Sequence, residues 1–241
     1  MQLQVIATGS AGNCYALHDG ENILLLDAGI EAMKILAGIS FRVQRVAGCL
    51  VTHVHQDHAM GVKRLAEVGI RCYGRKGAKE AMPALTEVTD EPIRLGPFRA
   101  LSFPVEHISN DFIPIDTCGW LITNSRTGER LVYITDTCAV RRRLPELDYW
   151  LIECNYMDEL LDDTTPEIVR ERLGKSHMSL RKLCQVLAVN DLTPCKQIVL
   201  CHASRQRLDP TVAVQTVFDQ TGKSTVVARA GMMISLEREP F

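Results

Sequence analysis

The stretch that decides the fold is Thr52-His53-Val54-His55-Gln56-Asp57-His58, which directly follows an apolar run over residues 46–51. In an extended segment, His53 and His55 project to the same side. Asp57 and His58 reach the same place from the next turn, where a helix is predicted to begin. Neutral imidazoles and a carboxylate are ligands that Zn²⁺ and Mn²⁺ accept. Because this short span holds three of the seven histidines, we interpret it as part of a site for two adjacent divalent cations rather than as a polar surface loop.

Length, composition and net charge restrict the number of domains and the class of protein. With 241 residues and 46% apolar content the chain can bury a large core, and we predict a single domain over residues 1–241. The net charge of −2 excludes a protein that binds nucleic acid over its whole surface, but it allows a local basic rim around a metal centre.

Cysteine usage and apolar patterning address the compartment. The nine cysteines are odd in number and form no C-x-x-C pair, which is typical of reduced core residues. The N-terminal residues do not have the pattern of a targeting segment, and no run reaches about 18 apolar residues. We therefore expect a cytoplasmic protein that does not cross a membrane, whereas its oligomeric state stays open.

Apolar periodicity predicts a regular order of elements. Strands are predicted at residues 3–7, 14–17, 23–26, 46–51, 72–73, 98–105, 119–123, 131–135, 150–154, 198–200, 225–228 and 232–236. Helices are predicted at residues 30–37, 59–68, 76–84, 166–173, 180–189 and 211–220. Strands and helices thus alternate in two halves without a linker, which favours an α/β fold with two β-sheets packed face to face and helices outside.

Further metal-binding side chains follow three of the predicted strands: His107, Asp136 and His202. An isolated His or Asp at a strand end is more often structural than functional. Three of them at equivalent positions change this estimate, because strand ends converge on one edge of a sheet. We therefore expect these residues to share a site with the histidine-rich stretch.

The complete series resembles the metallo-β-lactamase fold superfamily, whose members carry an Asp, an H-x-H-x-D-H motif, a His, an Asp and a final His. The match covers nearly the whole chain and consists of Asp27, the motif from His53 to His58, His107, Asp136 and His202. It implies a four-layer αββα sandwich. It also implies that His53, His55 and His107 hold one metal, that Asp57, His58 and His202 hold the other, and that Asp136 bridges both while Asp27 orients ligands.

The resemblance also bears on the reaction type. Redox members of this superfamily, the di-iron flavoproteins, carry Glu where this chain has His55, so hydrolysis is favoured. Two ions about 3.5 to 4 Å apart can activate water and clamp the attacking and leaving oxygens of a displacement. Zn²⁺ or Mn²⁺ is expected, with Fe²⁺ as a further option, because histidine-rich sites accept all three.

Three segments of the second half resemble tRNase Z and its relatives: Glu153, Ser176-His177-Met178-Ser179, and Cys201-His202-Ala203-Ser204-x-x-Arg207. A Glu–His pair protonates the leaving oxygen in that family. The resemblance therefore implies that His177 is a general acid oriented by Glu153, a contribution typically worth about 10² to 10⁴ in rate. The alternative is that His177 is a water-exposed neighbour of a helix N-terminus.

Other segments resemble the WalJ-type branch of the superfamily, whose members are regarded as DNA-directed phosphodiesterases and in part as 5′ exonucleases. They are Gly9-Ser10-Ala11-Gly12-Asn13-Cys14, Leu25-Leu26-Asp27-Ala28-Gly29, Phe103-Pro104-Val105-Glu106-His107, Glu153-Cys154-Asn155 and Ser176-His177-Met178-Ser179. Only 28 residues separate His107 from Asp136, which leaves no room for the tRNA-gripping arm of typical tRNase Z enzymes. Only 65 residues separate Asp136 from His202, too few for the extra domain of the RNase J group.

Candidate substrate contacts surround these segments. Ser10 and Asn13 belong to a loop whose donors and small side chains suit phosphate, although a tight turn between strands explains that loop equally well. Arg141 opens a run of three arginines without nearby acidic residues, and Ser204 and Arg207 follow the last histidine, so all three can contact phosphates. The basic residues at 170–182 are interleaved with glutamates, which favours a solvated helix face.

These observations predict a metal-dependent phosphodiesterase that acts on nucleic acid, with DNA favoured over RNA. The alternative enzyme is a hydrolase of a small molecule, such as a cyclic phosphodiester, a thioester or a lactone, which the same metal centre would serve. A third reading is a non-catalytic binding module that retains the fold. The Glu153 and His177 pair discriminates between the two enzymes, because a sugar alkoxide leaving group benefits from a dedicated acid.

Overall fold

Two seven-stranded β-sheets form the centre of the computed structural model, which describes residues 1–109, 111–161 and 165–236. The first sheet contains β1 (Gln2–Ala7), β2 (Cys14–His18), β3 (Ile23–Leu26), β4 (Val46–Leu50), β5 (Cys72–Gly74), β6 (Thr86–Glu87) and β14 (Met233–Ser235). The second contains β7 (Ile93–Leu95), β8 (Phe98–Val105), β9 (Thr117–Asn124), β10 (Arg130–Ile134), β11 (Tyr149–Glu153), β12 (Gln197–Cys201) and β13 (Ser224–Val227). Each half of the chain thus supplies most of one sheet.

The two sheets share one pairing pattern. In the order β14-β1-β2-β3-β4-β5-β6, the pairs up to β3 are antiparallel and those from β3 onward are parallel. The order β7-β8-β9-β10-β11-β12-β13 likewise changes from antiparallel to parallel at β10. Ligands of open α/β sheets bind beyond the carboxyl ends of parallel strands, so this edge of both sheets is where a site is expected.

Helices pack on the outer face of each sheet and also border the carboxyl edge of the sheets. They are α1 (Ala32–Gly38), α2 (Gln56–Ala59), α3 (Val62–Glu67), α4 (Lys76–Ala81), α5 (Glu167–Ser176), α6 (Leu180–Ala188) and α7 (Pro210–Thr221), with short 3₁₀ turns at Val43–Arg45 and Asp158–Leu160. Ser179 caps α6 by accepting a hydrogen bond from the Lys182 N–H, and Asp209 caps α7 ahead of Pro210.

Three apolar clusters hold these layers together. The cluster between the sheets contains Tyr15 and Trp120, whose indole N–H also donates to the Val51 carbonyl at 3.3 Å. A second cluster packs the outer face of the second sheet on α6 and α7, and a third packs the first sheet on α1 and α3. Their arrangement is the predicted four-layer αββα sandwich.

Most predicted elements are confirmed, but the single helix predicted over residues 59–68 is wrong. The chain forms α2 and α3 instead, separated at Met60 and Gly61. The Gly61 N–H donates to the Ala28 carbonyl at 2.7 Å, and a Cβ on Gly61 would lie 2.8 Å from the Ile30 carbonyl oxygen. Contact with this distant turn breaks the helix. The short strands β6 and β7 were not predicted.

Seven of the nine free cysteines are buried, which agrees with their assignment to the core, whereas Cys138 and Cys184 are half-buried. None of the helices in the described ranges has the length and apolar character that a membrane crossing requires.

Replacing Gly29 by alanine is expected to destabilise the fold. An ideal Cβ at this position would lie 1.7 Å from the Asp57 carbonyl oxygen and 2.7 Å from the Asn13 nitrogen, both of them backbone atoms. Overpacking of this kind typically costs about 1 to 3 kcal/mol, and chemical denaturation measures it. Gly174→Ala is the matched control: nothing lies within 4 Å of its Cβ, and alanine favours helix by up to about 1 kcal/mol. Equal denaturation midpoints for Gly29→Ala and the wild type would contradict the close approach.

Candidate metal centre

Asp27 lies at the centre of a buried hydrogen-bond network beneath the histidine-rich loop. Its fully buried carboxylate accepts hydrogen bonds from the Thr52 backbone N–H at 2.8 Å, the Thr52 hydroxyl at 3.0 Å and the Tyr133 hydroxyl at 2.6 Å. The same carboxylate lies 2.7 Å from His58 Nδ1. Since a carboxylate only accepts, Nδ1 carries the proton, and Nε2 of His58 is left as the ligand atom.

The Thr52 hydroxyl extends this network to His53. It donates to Asp27, so its oxygen is available to accept from His53 Nδ1, which lies 3.1 Å away. His53 Nε2 is therefore also left with its lone pair. Asp27 thus fixes the tautomers of two imidazoles, one directly and one through a threonine.

Three polar residues directly beyond parallel strands have left-handed backbone. Asp27 follows β3 with φ of 57°, Asp136 lies just beyond β10 with φ of 49°, and His202 follows β12 with φ of 49°. Such values are uncommon outside glycine, although Asp and His tolerate them better than most residues, and they cost on the order of 1–3 kcal/mol each. They turn three chemically important side chains at the carboxyl edge of the sheets.

A first cluster of ligand atoms combines three imidazoles and one carboxylate oxygen. His55 Nδ1 lies 3.0 Å from His53 Nε2 and 3.1 Å from His107 Nε2. Asp136 Oδ2 lies 3.9 Å from His53 Nε2 and 3.8 Å from His107 Nε2. Tetrahedral bonds of about 2.0 to 2.1 Å place ligand atoms roughly 3.3 Å apart, so these separations suit a shared divalent ion.

A second cluster uses the other oxygen of the same aspartate. Asp136 Oδ1 lies 3.2 Å from His58 Nε2, and Asp57 Oδ2 lies 3.5 Å from that nitrogen and 3.6 Å from His202 Nε2. Among the described residues, His202 Nε2 is buried and has no hydrogen-bond partner. A buried polar atom without a partner costs about 1 to 3 kcal/mol, so this orphaned nitrogen fits a cation.

The electrostatics of the metal-free protein differ between the two clusters. Burial lowers the pKa of His53 well below its ordinary value and that of His107 to about 4, which keeps both in the neutral form that binds metal. Burial would also lower the pKa of His202, but the carboxylates of Asp136 and Asp57 raise it to about 10. The second cluster therefore holds protons that a cation replaces on binding.

Glu153 connects a metal-ligand candidate with the predicted acid. This fully buried carboxylate accepts the His177 Nδ1–H at 2.7 Å, and the same oxygen lies 3.0 Å from His202 Nδ1. Its other oxygen accepts the backbone N–H groups of Thr137 at 3.1 Å and Met178 at 3.3 Å. Burial would raise the pKa of Glu153, but His177 and His202 together outweigh this effect and lower the pKa, so the residue stays anionic.

The two clusters open into a cleft of about 580 Å³. His177 lines this cleft with 18% of its side chain exposed, between α5 and α6, and its Nε2 is not engaged by Glu153. Ser10, a predicted substrate contact, also lines the cleft. The arrangement places a proton donor and a polar loop beside the grouped ligand atoms.

Asn13 does not have the position expected of a substrate contact. Its side chain is fully buried, accepts the Gly9 N–H at 2.9 Å, donates to the Asp57 carbonyl at 3.3 Å and lies 3.2 Å from His58 Nε2. Asn13 is therefore not placed to contact substrate; it holds the Gly9 turn against the backbone of Asp57.

Arg141 was predicted to lack a nearby acidic residue, and this is wrong. Two of its guanidinium nitrogens lie 3.0 Å from the two carboxylate oxygens of Glu106. Neither Ser204 nor Arg207 lines the cleft: the Ser204 hydroxyl accepts the Arg207 backbone N–H at 3.2 Å, and the Arg207 carbonyl accepts from Met157. Ser204 and Arg207 therefore stabilise the loops beside the candidate metal centre and do not line the cleft.

Two residues that sequence reasoning missed contribute to the site. Arg172 lines the cleft one helical turn before Ser176, although its interleaving with glutamates favoured a solvated face. Tyr133 donates to Asp27 from β10. Its signal was a tyrosine within an apolar strand just ahead of Asp136, which is too common a pattern to decide a role.

The comparison with known proteins agrees with this geometry. Residues 22–203 match the model of the family described as the beta-lactamase superfamily domain, and this range contains all the residues grouped above. The chain belongs to this superfamily. Together with the grouped ligand atoms, membership makes the protein a metal-dependent hydrolase that binds divalent metal, and it leaves the non-catalytic reading without support.

Individual relatives in the superfamily match to different extents. The exodeoxyribonuclease WalJ of Streptococcus pneumoniae is 37% identical over 82 residues, which are 32% of this chain and 30% of that protein, so the match spans less than a third of either. The metallo-β-lactamase fold protein YhfI of Bacillus subtilis is 18% identical with a TM-score of 0.73, over 96% of this chain and 98% of the other. Human tRNase Z, short form, is 16% identical with a TM-score of 0.64, over 99% and 100%. The two structures confirm the metallo-β-lactamase fold.

Replacing Asp27 by asparagine is expected to lower the affinity for divalent metal by about 10- to 100-fold, the usual effect of losing a group that orients a histidine ligand. The amide removes the charge and turns an N–H₂ toward groups that are themselves donors. Zn²⁺ titration against a chromophoric chelator measures the change. Tyr133→Phe, which removes only one of the four donors, is the control and should have a smaller effect; equal losses in both variants would contradict the role of the carboxylate.

Proposed function

We propose that the protein hydrolyses phosphodiester bonds of nucleic acid, with DNA as the favoured substrate. The observation that carries this proposal is the Glu153–His177 pair, which presents an imidazole to the cleft beside the grouped ligand atoms. A carbonyl hydrolase can do without such an acid, whereas the departing sugar oxygen of a phosphodiester needs a proton.

Two divalent ions, Zn²⁺ or Mn²⁺ with Fe²⁺ as an option, fit the two clusters. His53, His55 and His107 would hold one ion, Asp57, His58 and His202 the other, and Asp136 would offer one oxygen to each, in line with the groups of candidate ligands in the described residues. Bound there, the ions lower the pKa of water and neutralise charge on the phosphoryl oxygens.

The side chains of this chain supply the remaining steps. Although burial would raise the pKa of Asp57, the nearby imidazoles of His202 and His58 lower it far below its ordinary value. Asp57 therefore accepts a hydrogen bond from the attacking water and orients it. As the P–O bond to the leaving group breaks, His177 Nε2 gives its proton to the departing oxygen, and Glu153 stabilises the ring through Nδ1.

Several observations support nucleic acid as the substrate. Arg172 brings a positive charge to the cleft wall, which suits a phosphate. The relative from Streptococcus pneumoniae carries the name exodeoxyribonuclease, which supports DNA and an exonuclease mode. The short spacing between His107 and Asp136 disfavours a tRNA substrate, because it leaves no room for a tRNA-gripping arm.

A small-molecule phosphodiester is the second candidate. Its support is the size of the cleft, since about 580 Å³ lies within the range of about 300 to 1,000 Å³ that small-ligand sites occupy. Digestion of end-labelled single- and double-stranded DNA and RNA with several metals tests the first proposal. Hydrolysis of bis-p-nitrophenyl phosphate without any cleavage of these polymers would favour the second.

His177→Ala is expected to lower turnover in proportion to the need for a proton. Cleavage of DNA should fall by about 10² to 10⁴, whereas hydrolysis of bis-p-nitrophenyl phosphate should fall far less, because p-nitrophenolate leaves without protonation. Metal content, measured by inductively coupled plasma mass spectrometry, should stay at the wild-type level. Lost metal in this variant would identify His177 as a ligand instead of an acid.

Asp57→Ala is expected to abolish cleavage of both substrates, because the carboxylate is a candidate ligand of the second ion as well as the group that orients water. Steady-state assays at saturating metal measure the loss. Thermal unfolding with and without metal separates misfolding from loss of the site. Wild-type turnover in this variant would remove Asp57 from the centre.

A further inference from the structure

A second groove adjoins the cleft across the loop of residues 10–12. Its volume is about 430 Å³, and it is lined by β1 residues from Gln4 onward, by α1 and by the segment after His202. Ala11 lines both this groove and the cleft. A ligand that leaves the cleft over this loop therefore enters the second groove directly.

The second groove has an unbalanced positive charge. Lys34 and Arg205 line it, and no described residue of its lining carries a carboxylate. Lys34 pairs with Glu31 at 3.6 Å, but both side chains are 66% exposed, and such pairs are worth little. Within the part of the chain that the structure describes, Arg205 has no acidic side chain at ion-pair distance. Both cations are thus available to an anion.

Both cations lie on segments that also carry residues of the metal centre. Lys34 belongs to α1, which begins five residues after Asp27, and Arg205 lies three residues after His202. The Thr8 hydroxyl accepts the His202 backbone N–H at 3.2 Å, which fastens the wall of the second groove to the centre. The distance from this groove to the ligand clusters is therefore fixed by the fold.

The position of His177 determines which part of a substrate extends over the loop of residues 10–12 into the second groove. His177 stacks on His202 with ring centroids 5.3 Å apart and lies 6.1 Å from the ring of His107. The loop of residues 10–12 instead borders Asp57, because the Asn13 N–H next to it donates to the Asp57 carbonyl at 2.8 Å. With His177 as the acid, the leaving group would extend toward its ring, which leaves the side of the cleft at the loop to the ester arm that stays on the phosphate.

We infer that the second groove binds the phosphate backbone of the retained strand, through Lys34 and Arg205. This inference rests on the proposed function and narrows it. The substrate is a strand of several nucleotides that crosses the loop at Ala11, and a cyclic or mononucleotide phosphodiester does not reach the groove.

The test uses thymidine oligonucleotides of increasing length that carry a p-nitrophenyl ester on the 5′- or 3′-terminal phosphate. The leaving group is then constant, and only the retained strand varies. For the metal-loaded wild type, we expect KM to fall several-fold with length in one of the two series. In the Lys34→Ala/Arg205→Ala variant KM should no longer depend on length, whereas hydrolysis of bis-p-nitrophenyl phosphate, which is too short for the groove, should change less than about twofold.

Equilibrium binding gives a readout that does not depend on turnover. In the slow His177→Ala background, fluorescence anisotropy reports the Kd of a labelled oligonucleotide at several salt concentrations. Each phosphate contact of a single strand contributes about 0.7 to the slope of log Kd against log salt, so loss of two contacts should lower the slope by about 1.4. Arg126→Ala/Lys223→Ala is the matched control: it removes the same charge at the opposite, amino-terminal edge of the parallel strands, and its slope should equal that of the parent.

Two outcomes would overturn the inference: a wild-type KM that is independent of length in both series, or an unchanged salt slope in the Lys34→Ala/Arg205→Ala variant. Either can occur while end-labelled DNA is cleaved, which leaves the proposed function standing. Absence of DNA and RNA cleavage with every metal would instead overturn the proposed function, and the inference with it.

Discussion

The structure depends on one buried charge. Asp27 is completely removed from water, and a carboxylate in that environment needs donors on every side. Thr52, Tyr133 and His58 supply them from a loop, a strand of the opposite sheet and a short helix. These hydrogen bonds fix the histidine-rich loop against both sheets. They also determine which nitrogen of His53 and of His58 faces the cleft. The left-handed backbone at Asp27 is tolerated because so many bonds determine it.

The order of the candidate ligands could be read from the sequence because their chemistry is local. An H-x-H-x-D-H motif after an apolar strand, together with later His and Asp residues at strand ends, determines residue types and spacing before any contact is known. The four-layer arrangement could also be predicted, since apolar strands and amphipathic helices alternate in both halves. Prediction was accurate for most of the longer periodic elements, whereas it missed the short strands β6 and β7.

Errors arose where distant residues control the outcome. The helix break at Gly61 comes from the turn at Ala28, 33 residues earlier, and no local pattern reveals it. Arg141 had no acidic neighbour in sequence, yet Glu106 reaches it from the strand end that carries His107. Asn13 belongs to a loop with the composition of a phosphate-binding loop, but its side-chain amide donates to the backbone carbonyl of Asp57. Each case requires a contact between segments that only the folded chain brings together.

The candidate metal centre lies between the two sheets, and neither sheet supplies all of its residues. Segments that follow strands of the first sheet carry His53, His55, Asp57 and His58. Segments that follow strands of the second sheet carry His107, Asp136 and His202, and one oxygen of Asp136 faces each cluster. Divalent metal bound here would link the two sheets non-covalently, and binding that requires the native state stabilises that state. Removal of metal would therefore abolish activity and also let the chain open more readily to proteases.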